Sequence, residues 1–188
     1  MATWNSRGLR GSALEELINR TNDYYREKGL ALIQKIPTPI TPVRMDKETR
    51  QITLAYFEQQ STVDYIGAVQ GFPVCFDAKE CRQDSFPLAN VHEHQIRFME
   101  DFEKQGGISF LLIYFSHEDL YYYQPLRELK VFRDREMSGG RKSFRRDELT
   151  QGLVLPKRPG VLVPYLEGVA FDLEARQNNV MSTCVNDL

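Results

Sequence analysis

Thr62-Val-Asp-Tyr-Ile-Gly-Ala-Val-Gln-Gly-Phe-Pro-Val-Cys-Phe-Asp-Ala-Lys-Glu80 reads as two short strands joined by a reversal at Gln70-Gly71. Both arms are rich in β-branched and aromatic residues, and glycine supplies the positive φ that a tight reversal needs. With the reversal centred there, residues whose numbers sum to 141 face each other, so Asp64 meets Asp77 and Thr62 meets Lys79. Alternation along a strand sets these four on one face. The other face carries Val63, Tyr65, Val69, Phe72, Val74, Phe76 and Ala78, the makings of a core.

Two carboxylates opposite each other, with Cβ atoms about 5 Å apart, repel. A divalent cation offsets that cost, and Mg²⁺ is commonly held by one or two carboxylates together with water and substrate phosphate. Lys79, two residues beyond the second acid, reaches the same space. A Lewis acid beside an ammonium suits phosphodiester hydrolysis. The same residues also fit a plain structural salt bridge of Lys79 with either aspartate.

The chain of 188 residues suggests one domain. Its 41% hydrophobic and 27% charged residues are ordinary for a globular protein. No apolar run of membrane-spanning length and no charged-then-apolar leader is present, so the expectation is a cytoplasmic protein without a membrane partner. Cys75, Cys81 and Cys184 are odd in number and contain no Cys-x-x-Cys pair, which indicates neither a disulfide framework nor a zinc site. A net charge of −2 argues against coating nucleic acid by bulk charge. Arg127 to Arg158, however, holds ten basic residues against five acidic ones. That segment is the candidate phosphate-facing surface, or else a solvated face.

In chain order, residues 1–9 read as a flexible arm, 10–176 as one domain and 177–188 as a loose tail. Ser12 to Glu27 reads as a helix opened by a Ser12/Glu15 capping box, with Leu14, Leu17, Ile18, Thr21 and Tyr25 as its buried stripe. Leu30 to Ile36 is a short strand. Pro37, Pro39 and Pro42 then weaken ladder bonding at the start of a two-stranded arm spanning about 37–60. Asn90 is placed as the cap of a helix reaching Lys104. On that helix His92 and His94, two apart, point to different faces, and Gln95 shares the apolar stripe. Ile108 to Phe115 and Leu120 to Tyr123 are strands, Pro125 opens a helix, and Leu162 to Phe171 packs as a terminal element.

Nine blocks resemble the RecU family of Holliday-junction resolvases within the PD-(D/E)xK nuclease superfamily. They are Arg7-Gly-Leu-Arg-Gly-Ser-Ala-Leu-Glu-Glu16, Asn19-Arg-Thr-Asn-Asp-Tyr-Tyr25, Lys35-Ile-Pro-Thr-Pro39, Ala55-Tyr-Phe57, Ser61-Thr-Val-Asp-Tyr65, Phe76-Asp-Ala-Lys-Glu80, Ser85-Phe-Pro-Leu88, His92-Glu-His-Gln95 and Gly140-Arg-Lys-Ser143. The resemblance implies an α/β restriction-endonuclease-like fold, a mixed β-sheet flanked by helices, with the Pro-edged arm as a projecting hairpin stalk. It implies an endonuclease that resolves four-way DNA junctions in recombination and repair, acting as a homodimer, with a RecA-type recombinase as a further partner. By the same resemblance Asp64, Asp77, Lys79 and Glu15 are catalytic, and Thr62, Asp64, Asp77 and Gln95 surround Mg²⁺ or Mn²⁺. Arg10, Lys35, His92, Arg141, Lys142 and Arg145 are the corresponding DNA contacts. The family usually has Glu where this chain has Asp77, one methylene shorter. Two other readings are a junction-binding accessory that does not cut and a duplex-specific nuclease of the same superfamily.

Overall fold

The computed structural model describes the backbone of residues 8–37, 40–57 and 62–186, and the side chains within 13–37, 41–56 and 62–178. Its centre is a five-stranded mixed sheet in the order β1-β4-β5-β7-β8. The strands are β1 (Ala31–Lys35), β4 (Tyr65–Val69), β5 (Phe72–Cys81), β7 (Ile108–Phe115) and β8 (Leu120–Pro125). The β4–β5 hairpin holds the register expected from the sequence, Tyr65 opposite Phe76 and Val69 opposite Phe72. Gln70 (φ 47°) and Gly71 (φ 90°) both take positive φ, the two-residue turn whose twist matches that of the strands. β5 and β7 run parallel, which requires the crossover through α2 (Glu93–Lys104), and every other pairing in this sheet is antiparallel.

One face of the sheet is aromatic. Tyr65, Phe76, Phe110 and Tyr123 stack in sequence with centroids 4.7, 4.7 and 4.1 Å apart. α1 (Gly8–Glu27) and α4 (Tyr165–Asn186) cover them. Tyr165 lies 5.2 Å from Phe76, meets Tyr25 edge-on and donates its hydroxyl to Asn22 Oδ1 at 2.6 Å. The opposite face bears Cys75, Asp77, Ser109, Leu111, Tyr122 and Gln124 in register. α2 and α3 (Leu126–Met137) lie there: Ser109 Oγ donates to Met99 O at 3.1 Å, and Tyr122 donates to Glu128 at 3.4 Å. The result is an α/β/α sandwich.

β2 (Ile40–Met45) and β3 (Ile52–Phe57) form a separate two-stranded arm with a bulge after Pro42. Side chains from Pro42 through Tyr56 are all exposed, so the arm projects from the body. β6 (Ser85–Pro87) pairs with β9 (Ser143–Arg145), fixing part of a segment that composition marked only as a basic loop; Phe144 is fully buried against Phe86.

Several boundaries differ from the sequence reading. α1 begins at Gly8, so Ser12 lies inside it and the Ser12/Glu15 box is not its start; residues 8–11 contain no proline to stop the helix. Residues 1–7 of the expected arm lie outside the described residues. α4 continues as helix to Asn186, well past Arg176 where a loose tail was expected. Asn90 ends a 3-10 turn rather than capping α2, whose N-cap is His92. Because His92 is outside regular helix, its ring stacks on that of His94 at 5.4 Å instead of pointing to another face.

Candidate active site

Asp77 sits in the middle of β5 with no exposed surface. Lys79 Nζ approaches its Oδ2 to 2.5 Å, yet neither carboxylate oxygen accepts a hydrogen bond of normal geometry. Buried acceptors of this kind are costly to leave unsatisfied. Asp64 stands against it. Burial first, and the Asp77 charge second, push the Asp64 carboxyl up to about 7, while the Ala78 N–H donates to its Oδ2 at 2.9 Å. That bond explains where the hairpin ladder stops. The Asp64 side chain accepts from Ala78, and pairing ends at Tyr65 and Phe76. Thr62 lies half-buried in the bend before β4, and the pairing expected to set it opposite Lys79 does not form. The donor set fits a hard divalent cation: two adjacent carboxylates, one wholly buried with unmet acceptors, and a single ammonium between them and solvent.

The other site residues expected from the sequence are placed less uniformly. Gln95 is buried in the first turn of α2, on the Asp77 side of the sheet, and its Oε1 accepts the His92 N–H at 3.1 Å. Glu15 belongs to α1, on the aromatic side. Its carboxylate pairs with Lys35, whose strand position faces Tyr65, and the contacts it makes go to neither aspartate. Lys35, expected on DNA, is thus neutralised locally. The side chain of Arg10 lies outside the described residues.

The basic segment is largely self-compensated. Eight of its ten cations are ion-paired: Arg127 with Asp172, Lys130 with Glu100, Arg133 with Glu93 and Glu136, Arg135 and Arg141 with Glu148, Arg146 with Glu118, Lys157 with Asp119 and Arg158 with Glu167. Lys142 and Arg145 are exposed and outside these pairs. Sequence reasoning passed over a second cluster, Asp84, His117 and Glu118, exposed at the sheet's rim. His117 Nε2 is 2.6 Å from Asp84 Oδ1 and 3.3 Å from Glu118 Oε1, and Arg146 meets the other Glu118 oxygen. Parallel pairing of Cys81 with Phe115 brings the loops beyond the two strands together, a closeness that needs the strand order to be known.

The sequence profile of the family described as Recombination protein U, RecU, matches residues 9–171. The "Holliday junction resolvase RecU" of Pediococcus pentosaceus is 44% identical over 167 residues, covering 86% of this chain and 83% of that protein. That of Limosilactobacillus reuteri is 41% identical over 165 residues, covering 85% and 81%. Among solved structures, Archaeoglobus fulgidus Hjc, "a Holliday junction resolvase from an archaeal hyperthermophile", overlaps 60% of this chain and 74% of its own with a TM-score of 0.35 and 8% identity, a likeness that carries no weight of its own. On the extent of the profile match and the identity to these relatives, the chain belongs to the RecU family.

Proposed function

We propose that this protein is a metal-dependent endonuclease that resolves four-way DNA junctions, cutting two strands as a homodimer. The observation that carries the chemistry is the fully buried Asp77 carboxylate, unsatisfied, against Asp64 and beside Lys79. The relatives' printed names supply the substrate class.

Asp64 and Asp77 are the residues that would hold a divalent cation, Mg²⁺ or Mn²⁺. When bound, it supplies Lewis-acid stabilisation of the phosphate and lowers the pKa of a coordinated water. The protein's own part is positional and electrostatic. β5 presents Asp77 and Lys79 on one face two residues apart, so the ammonium and the carboxylate act on the same phosphate. Lys79 Nζ, a fifth exposed, remains accessible to donate to a phosphate oxygen or to orient the attacking water. The Ala78 N–H holds the Asp64 carboxylate on the Asp77 side. No helix among the described residues is long and apolar enough to cross a membrane.

The test compares cleavage of a synthetic four-way junction with that of linear duplexes of the same sequences, in Mg²⁺ and in EDTA. Junction cutting that needs Mg²⁺ and is abolished in Asp77→Asn is expected. Equal cutting of linear duplex would turn the reading into a duplex nuclease, and full activity of D77N would remove Asp77 from the site.

A further inference from the structure

β1 is an open edge. It pairs with β4 on one side and with no strand on the other among the described residues. The Ile36 N–H donates to Asp64 O at 2.8 Å, so Leu32 and Gln34 fall on the rungs that bond to β4. Ala31, Ile33 and Lys35 therefore turn their N–H and C=O groups outward. The other edge is not open in this way, because Leu155 N–H donates to Tyr121 O at 2.9 Å along β8. The sheet face over β1 and β4 is uncovered as well. Leu32, Ala68 and Pro73 lie side by side in register and all are exposed, Leu32 by 60%. Leu30, Leu32 and Ala68 line a shallow groove there.

We infer that this edge and face bind a second copy of the chain, β1 against β1. The inference rests on the two-strand cutting proposed above, which calls for two sites related by two-fold symmetry. Nucleic acid is a poor occupant, because Leu32, Ala68 and Pro73 carry no charge and DNA affinity is led by phosphate neutralisation. A copy of the same strand fits. Turned antiparallel about a two-fold axis at Ile33, Ile33 meets Ile33 with both backbone bonds exchanged, and Ala31 meets Lys35. The two ammonium groups then stand at opposite ends of the seam instead of facing each other. The axis is perpendicular to the sheet, so both copies show their Asp77 face on the same side. Asp64 bonds Ile36 at the end of β1, which sets the two sites roughly 20 Å apart along the strand direction. One junction can thus be addressed from one face.

Sedimentation of the full chain reads the result. The wild type is expected at twice 21.9 kDa and Leu32→Glu at 21.9 kDa with its thermal melt unchanged. Val131→Glu, an equally exposed apolar position on α3, remains at the higher mass. Ile33→Cys is expected to cross-link to itself under mild oxidation, as the bonded pair spacing permits, and Val131→Cys is not. A wild type at 21.9 kDa, or a dimer that survives L32E and fails to cross-link through I33C, overturns the surface. A dimer that splits with L32E but cuts no junction upholds the surface and removes the junction reading; junction cutting by a monomeric wild type does the reverse.

Discussion

Asp77 has less around it than any other buried acid of the fold. Its oxygens accept no hydrogen bond, and one partly exposed ammonium is its compensation. Lys79→Met keeps the length of the side chain and removes the charge. Junction cleavage is expected to fall by about 100-fold or more, the scale of a positioned acid or charge stabiliser. Metal-free stability is expected to fall by about 1–3 kcal/mol, below the value for a fully buried pair because Lys79 is in part solvated. Single-turnover cleavage and urea titration in EDTA check the two effects, and unchanged cleavage would take Lys79 out of the chemistry. Asp64 makes a separate claim about pH. Its carboxyl is near 7 in the fold and about 3.9 when unfolded, so the native state binds the proton more tightly. Stability from this group is complete below about pH 4 and is lost as pH rises to about 7. In EDTA the melting temperature should therefore decline between pH 5 and pH 8, and Asp64→Asn should flatten that decline. Addition of Mg²⁺ at pH 8 should restore the wild type, since a cation stabilises the ionised pair. A wild-type profile in EDTA that is level or rising across this range would contradict the placement of Asp64 against Asp77.

At the scale of elements, the β4–β5 hairpin was the most legible part of the chain, because its alternation and its Gln70-Gly71 turn act over neighbouring residues. What escaped the pattern was its end. The Asp64 side chain accepts the Ala78 N–H, which strand periodicity cannot express, and so Thr62 left its expected register. Glu15 escaped for another reason. Helical spacing orients a residue around its own axis but does not say which face of a sheet the helix will cover, and α1 covers the aromatic one. Charge reading along Arg127 to Arg158 failed because Glu93, Glu100, Glu118, Asp119, Glu167 and Asp172, which neutralise six of its cations, all lie outside that window. The β1–β4 pairing offers a direct test of how elements carry the site. A Cβ on Gly67 would overlap the Leu32 carbonyl oxygen and the Ile33 backbone, which cannot move without opening the pair. Gly67→Ala is expected to destabilise by about 1–3 kcal/mol or more and to displace Asp64 through its bond to Ile36, lowering cleavage as well. A Gly67→Ala protein with wild-type melting and activity would show that β1 is not held against β4 as described.

Across the whole molecule, two pairs of helices enclose the sheet, and the joints that close it are long in sequence. Asp172 on α4 is fully buried. It accepts from Tyr123 at 3.0 Å on β8, from Arg176 at 3.2 Å one turn on, and from Arg127 on α3, while Arg176 also reaches Glu103 on α2 at 2.6 Å. Four elements from both sides of the sheet thus meet at one carboxylate. Separations of 45, 49 and 73 residues put these partners beyond any local pattern, so nothing in the sequence reading singled out Asp172. Asp172→Asn keeps the shape, removes the charge and leaves two arginines facing a neutral amide. Arg127 and Arg176 are each about one-third exposed and recover part of their hydration, so the expected cost is roughly 2–4 kcal/mol, somewhat below that of a wholly buried pair. For a chain of this size that corresponds to a melting temperature lower by on the order of 5–15 °C. Cleavage measured well below the new midpoint should stay within about two-fold of wild type, because Asp172 touches neither aspartate of the site. Calorimetry together with a junction assay at 20 °C separates the outcomes: loss of activity without loss of stability would mean that α4 reports to the site directly, whereas an unchanged melt would mean that the four-element joint is not what holds the sandwich closed.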